Sequence, residues 1–314
     1  MQVLRRITGF IRTAVQAILM LALAAGLVGQ ASATEFMGVD IINGKLLYIV
    51  SPKTVVTIAN TGVKPDGIIL GPYQEIIYAL AGAGEVHSFN PYTLTDTTLA
   101  KGLSSPVNIV LEPGCKSILV SDIGVDKIFR ITLSNNALTT FYNGPDKMEG
   151  LVYDTDDQLF ANDDQLNAIV QLDPNTGAII NQTPSNTPLT TLDGLTYDVH
   201  TNALYATSNT GQAIYKVSTN LTTVSTISFP VAPVLEGIVS DGGGHLFVVG
   251  VNGTSSTIFE YAVLTAKQTT LNTVPGLDEI ALVPFGPCIK SLGTASECGG
   301  VSDEEERATG FWVK

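Results

Sequence analysis

The stretch from Asp193 to Phe229 reads DGLTYDVHTNALYATSNTGQAIYKVSTNLTTVSTISF and holds four short apolar runs. GLTYDV, NALYATS, AIYKVS and TVSTISF are separated by the turn-forming phrases His-Thr, Asn-Thr-Gly and Thr-Asn. β-Branched residues and Tyr alternate with small or polar ones along each run, which is the two-residue period of a strand. The stretch therefore predicts four antiparallel strands in succession. The preceding stretch has the same grammar, with GLVYD, QLFAN, AIVQLD and AIINQT around a DPNTG turn.

Both stretches open on an acid followed by Gly and then Leu, and that phrase recurs along the chain. It reads Asp66-Gly67-Ile68, Glu149-Gly150-Leu151, Asp193-Gly194-Leu195 and Glu236-Gly237-Ile238, with degenerate copies at Val107-Asn108-Ile109 and Asp278-Glu279-Ile280. Successive copies lie 41, 42, 44, 43 and 42 residues apart. Four strands per unit at a period near 42 predict blades of a β-propeller, since helical repeats would show a 3.6-residue stripe and none is present. Six copies predict six blades. One strand, EIALVPF, follows the last copy, while three precede the first: FMGVDII, KLLYIV and TVVTIAN. One and three complete a blade, so the two ends of the chain are expected to close the ring in one sheet.

The chain of 314 residues is 45% hydrophobic and 14% charged, which excludes disorder and leaves ample material for a core. Its formal net charge of −13 argues against a nucleic-acid partner. Arg5, Arg6 and Arg12 precede an apolar run from Ala14 to Val28 and the small-residue phrase Ala31-Ser32-Ala33. Residues 1–33 thus read as a cleavable secretory signal, too short in apolar length for a membrane span. The expected organisation is a signal over 1–33, the propeller over 34–286 and a C-terminal tail over 287–314. A secreted or periplasmic protein follows, a monomer with no membrane span after cleavage. Without the signal, 13 basic residues face 29 acidic ones, a net charge of −16.

The anchor phrases resemble those of the six-bladed propellers of NHL-repeat proteins, virginiamycin B lyase and the senescence marker protein/gluconolactonase group. In the gluconolactonase-like proteins, positions of this kind hold a catalytic metal and supply a base. The resemblance therefore implies Glu149, Asp193 and Glu236 as ligands of Ca²⁺, with Asp66, Asn108, Asp278 and Glu279 beside them and Asp193 as the base. Oxygen-rich lining is what Ca²⁺ takes. The plainer reading is that each acid binds backbone amides at the strand entry while Gly permits a tight turn.

Other chemistry has little support. His87 falls in a third strand, and His200 and His245 fall in turns on the face opposite the anchors. No nucleophile elbow, zinc pair or phosphate loop occurs. Two function classes stand: a propeller that binds a small-molecule ligand or an exported protein, and a calcium-dependent lactonase or esterase. Of the three cysteines, Cys288 and Cys298 are close in sequence and are expected to pair, with a bridge to Cys115 as the competitor.

Overall fold

A computed structural model describes residues 34–283 apart from Pro52 and Val231, so the expected signal and tail lie outside the described residues. It contains 24 strands in six four-stranded antiparallel sheets and no helix among those residues. The innermost strands of blades 1 to 6 are Pro65–Leu70, Pro106–Leu111, Met148–Tyr153, Leu192–Asp198, Val234–Ser240 and Leu277–Leu282. Each packs against the innermost strand of the next, and the sixth packs against the first, so the ring is closed. Closure follows the expected scheme. Leu277–Leu282 pairs with Glu35–Asp40, which is followed outward by Lys45–Val50 and Thr54–Asn60.

Burial explains why these sequences make blades. Second strands are covered on both faces by neighbouring sheets, and Glu35–Asp40, Ile76–Leu80 and Ala203–Ser208 are buried throughout. Outer strands such as Thr95–Lys101 are largely exposed, with only Ala100 of that strand buried, which accounts for their Thr-rich sequences. The apolar core is six wedges, each shared by two adjacent blades. Phe36, Leu47 and Ile49 of blade 6 interlock with Phe247, Val249 and Ile258 of blade 5 in one of them.

The anchor phrase has a specific backbone role. In blades 1, 3, 4, 5 and 6 its first two residues oppose a single residue of the second strand, giving a β-bulge at the same place in each sheet. The anchor glycines are not tight-turn residues, as the plainer reading had it. They allow close approach: a Cβ on Gly67 would lie 2.5 Å from the Val107 carbonyl oxygen, and one on Gly194 would lie 3.0 Å from that of Glu236.

Cys115 sits in the turn between the first two strands of blade 2 and is disulfide-bonded. With three cysteines in the chain, a bridge that engages Cys115 excludes the expected Cys288–Cys298 pair, so that expectation is corrected in favour of its competitor. Proximity in sequence was a weaker guide than the exit of the last strand on the face that carries Cys115. Cys288 and Cys298 themselves lie outside the described residues.

Candidate functional site

The bulges aim the anchor side chains at one end of the central channel. There, Asp66, Asn108, Glu149, Asp193, Glu236, Asp278 and Glu279 line one cavity of about 210 Å³ together with Ile41, Val107, Ile123 and Gly150. All seven residues singled out from the sequence are thus brought together. Six are carboxyl groups, from five of the six blades.

Crowding of like charges dominates the electrostatics. Asp66 and Glu279 are pushed well above the usual carboxylate range, first by burial and then by the neighbouring acids. Asp278 is raised to about 7 by burial and by Asp193, with Lys64 pulling the other way. Glu236 is pushed up to about 10 by burial, by the charge of Asp193 and by a hydrogen bond that its protonated carboxyl donates to Asp193. Burial raises Asp193 too, but that bond and the Asn209 amide favour its ionised form. Asn209 Nδ2 donates to Asp193 Oδ2 at 2.8 Å and to Glu236 Oε2 at 3.3 Å. Two acids on adjacent blades therefore share a proton under one amide.

Glu149 is the acid with a cation at hand. Lys147 Nζ lies 2.8 Å from Glu149 Oε1 and 3.3 Å from Asp164 Oδ2. Burial raises Glu149, as does Asp193, and Lys147 opposes both. Asn108 has a backbone role, its Oδ1 accepting from Leu151 N at 3.1 Å across the blade 2/3 boundary. The sequence reading missed Lys147 and Asn209. Lys147 stands two residues before an anchor and Asn209 stands in what read as a plain turn, so neither belongs to the repeat that exposed the rest.

The anchor carbonyls are held from behind. Ser121 Oγ donates to Glu149 O at 2.7 Å, Asn162 Nδ2 to Asp193 O at 2.5 Å and Thr207 Oγ1 to Glu236 O at 2.6 Å. Each donor sits on the second strand of one blade and reaches the anchor of the next.

These contacts bear on calcium. The donor set is all oxygen, yet Glu149 is spent on Lys147 and Glu236 keeps a proton for Asp193. Among the described residues no group of three or more His, Cys, Asp or Glu side chains is gathered so as to hold a metal ion. The histidines are elsewhere: His87 contacts Glu85 at 2.8 Å and Asp96 at 3.2 Å, and His245 contacts Asp241 at 3.1 Å. None of the three lines the cavity.

No protein-family model and no curated protein matches the sequence. Solved structures do match in shape. A chain of a nidogen/laminin complex superposes with a TM-score of 0.68 at 13% identity, over 80% of this chain and 98% of that one. A catalytically inactive virginiamycin B lyase from Staphylococcus aureus with quinupristin gives 0.60 at 15% identity, over 78% and 86%. A streptogramin B lyase gives 0.55 at 17% identity, over 66% and 67%. With the closed ring of six sheets, these likenesses show that the chain has the six-bladed β-propeller fold.

Proposed function

We propose that this protein is an exported binding propeller whose channel mouth takes a cationic group, an organic ammonium or guanidinium, presented by a small molecule or by an exported protein partner. One observation carries the reading: six carboxyl groups converge on a single cavity, where burial first and neighbouring acids second raise the pKa of Asp66, Glu236, Asp278 and Glu279. Such a ring favours any positive charge that enters it, because the entrant relieves repulsion already present. Export rests on the Arg-rich, apolar and small-residue pattern of residues 1–33. The partner named for one of the similar folds, laminin with nidogen, is in keeping with a protein ligand.

The second reading, a calcium-dependent lactonase or esterase, draws on the oxygen-only lining of the same cavity and on Asp193 as its base. Titration calorimetry with n-butylammonium and with Ca²⁺, each at pH 8 and pH 5, separates the two. Heat and a raised melting temperature with the amine at pH 8, weakened at pH 5 and in Asp66→Asn, support the proposal. A response to Ca²⁺ alone favours the second reading, and a response to neither overturns both.

A further inference from the structure

The turns that ring the mouth carry exposed apolar side chains on one side only. Ile42, Val125 and Leu166 are 56%, 43% and 51% exposed, and each sits in the turn between the second and third strands of blades 6, 2 and 3. Val63, 38% exposed, lies in the linker from blade 6 to blade 1, so the four residues lie over an arc of blades 6, 1, 2 and 3, with the small residues Ala81-Gly82-Ala83-Gly84 in the corresponding turn of blade 1. Topology puts these turns and this linker on the face where the anchors begin, and the neighbouring Ile41 and Ile123 line the acidic cavity itself. The corresponding turns of blades 4 and 5 present Asn209, Thr210 and Gln212, and Gly253 and Thr254.

The tips are held in place. A buried Asp begins each of the three turns and fixes its backbone. Asp40 Oδ1 accepts from Ile42 N at 3.1 Å and Asn43 N at 2.8 Å, and Asp163 Oδ1 accepts from Gln165 N at 3.0 Å and Leu166 N at 2.9 Å. Asp122 Oδ1 accepts from Gly124 N at 3.1 Å and also holds the incoming linker through Ser105 N at 2.7 Å. Apolar side chains in water on fixed turns lose little further freedom when covered, which is what a docking surface requires.

We infer that this arc is the docking surface for a segment of an exported protein that inserts a Lys or Arg side chain into the acidic mouth and lays flanking apolar side chains on Ile42, Val63, Val125 and Leu166. The inference rests on the cationic-mouth reading and adds the class of partner to it. Charge complementarity selects the occupant: a rim of apolar tips around a cavity of six carboxyl groups suits a basic residue between apolar neighbours and repels an acidic segment.

The test uses three peptides with fluorescein coupled to the N-terminal amine, fluoresceinyl-Gly-Leu-Lys-Leu-Gly-amide and its versions with Ser in place of Leu or Gln in place of Lys, read by anisotropy against the mature protein. The Leu-Lys-Leu peptide should bind at least about tenfold more tightly than Ser-Lys-Ser, because two apolar side chains leave water. The triple variant Ile42→Ser, Val125→Ser, Leu166→Ser should abolish that difference while still binding n-butylammonium, which also shows that it is folded. Equal binding of the two Lys peptides, or an unaffected triple variant, overturns the arc and leaves the cationic mouth standing. If the Gln peptide binds as well as its Lys parent, the cationic mouth itself falls. No binding of any peptide at millimolar concentration overturns the inference.

Discussion

Ser121, Asn162 and Thr207 reach from the second strands of blades 2, 3 and 4 to the anchor carbonyls of blades 3, 4 and 5, whereas Val249, Val39 and Ala79 occupy the same register positions in blades 5, 6 and 1. The opposite face repeats the division. Arg130 of blade 2 pairs with Glu112 at 2.7 Å and also reaches Pro174 O of blade 3, and Ser240 Oγ of blade 5 reaches Asp198 Oδ2 of blade 4 at 2.7 Å. Among the described residues, side chains stitch three consecutive blade boundaries in this way. The other three boundaries are apolar wedges such as Phe36 against Phe247, with ring centroids 5.2 Å apart. Blades 2 to 5 are contiguous in sequence and can align donors with acceptors locally. Blade 6 joins two ends of the chain, and there burial that needs no exact direction serves closure better than buried polar groups, whose misalignment is costly.

The mouth inherits the same asymmetry. Lys147 and Asn209 temper Glu149, Asp193 and Glu236 on the stitched side. Asp66, Asp278 and Glu279, beside the apolar boundaries, are raised first by burial and then by neighbouring acids, Asp193 reaching all three, with Lys64 opposing at Asp278. A cationic entrant should therefore gain most on the blade 6/1 side, where the apolar arc also begins.

The largest effect should come from breaking the apolar half. Phe36 is fully buried in the closing blade, and Phe36→Ala leaves a cavity that costs about 3 to 5 kcal/mol. A denaturant midpoint shift smaller than about 1 kcal/mol would mean that closure does not rest on this wedge.

Next is the stitched half. Thr207 Oγ1 accepts from Gly194 N at 2.9 Å and donates to Glu236 O at 2.6 Å, so Thr207→Val strands two buried backbone groups for about 2 to 3 kcal/mol. The same assay decides it. A near-neutral result would show that the stitches are incidental and that both halves stand on burial alone.

The mouth acids give a smaller, pH-dependent effect with a definite sign. A carboxyl group whose folded pKa is raised binds more protons native than unfolded, so its contribution is favourable at low pH and is lost as pH rises. For Asp278 the window runs from its ordinary 3.8 to about 7. The melting temperature should fall by a few degrees from pH 5 to pH 8, less than the raised value alone implies because solvent in the mouth screens the charge. Asp278→Asn should flatten that slope, and an unchanged slope would remove Asp278 from the group.

How much of this was legible in the sequence depends on what repeats. Asp66, Glu149, Asp193 and Glu236 could be found because each opens a blade, and the three strands before Asp66 announced closure by counting. The bulge was hidden, since no residue type marks it apart from a Gly that also read as a turn former. Lys147 and Asn209 belong to single blades, and only the fold brings them to the acids. The apolar tips were overlooked for the same reason: Ile42, Val125 and Leu166 share a face only once the ring is built. The disulfide failed because sequence proximity ignores which face a strand leaves from.

The smallest predicted effect is also the sharpest comparison of the two halves. Val249 holds in blade 5 the register position that Thr207 holds in blade 4. The groups Thr207 uses have counterparts there. A Cβ on Gly237 would lie 3.1 Å from the Asp278 carbonyl oxygen, much as one on Gly194 would lie 3.0 Å from that of Glu236. In Val249→Thr the new hydroxyl therefore has an acceptor in Asp278 O and a donor in Gly237 N, while its remaining methyl stays in the apolar wedge. The change should stay within about 1 kcal/mol of wild type, because a buried hydroxyl that finds both partners recovers most of its desolvation cost. A loss of about 2 kcal/mol or more would mean that the hydroxyl is unpaired and that the blade 5/6 boundary differs from its neighbour in backbone geometry as well as in side chains. Combining Val249→Thr with Thr207→Val tests coupling, since Glu236 O and Gly237 N belong to one peptide group and the two effects should depart from additivity if both hydroxyls engage it.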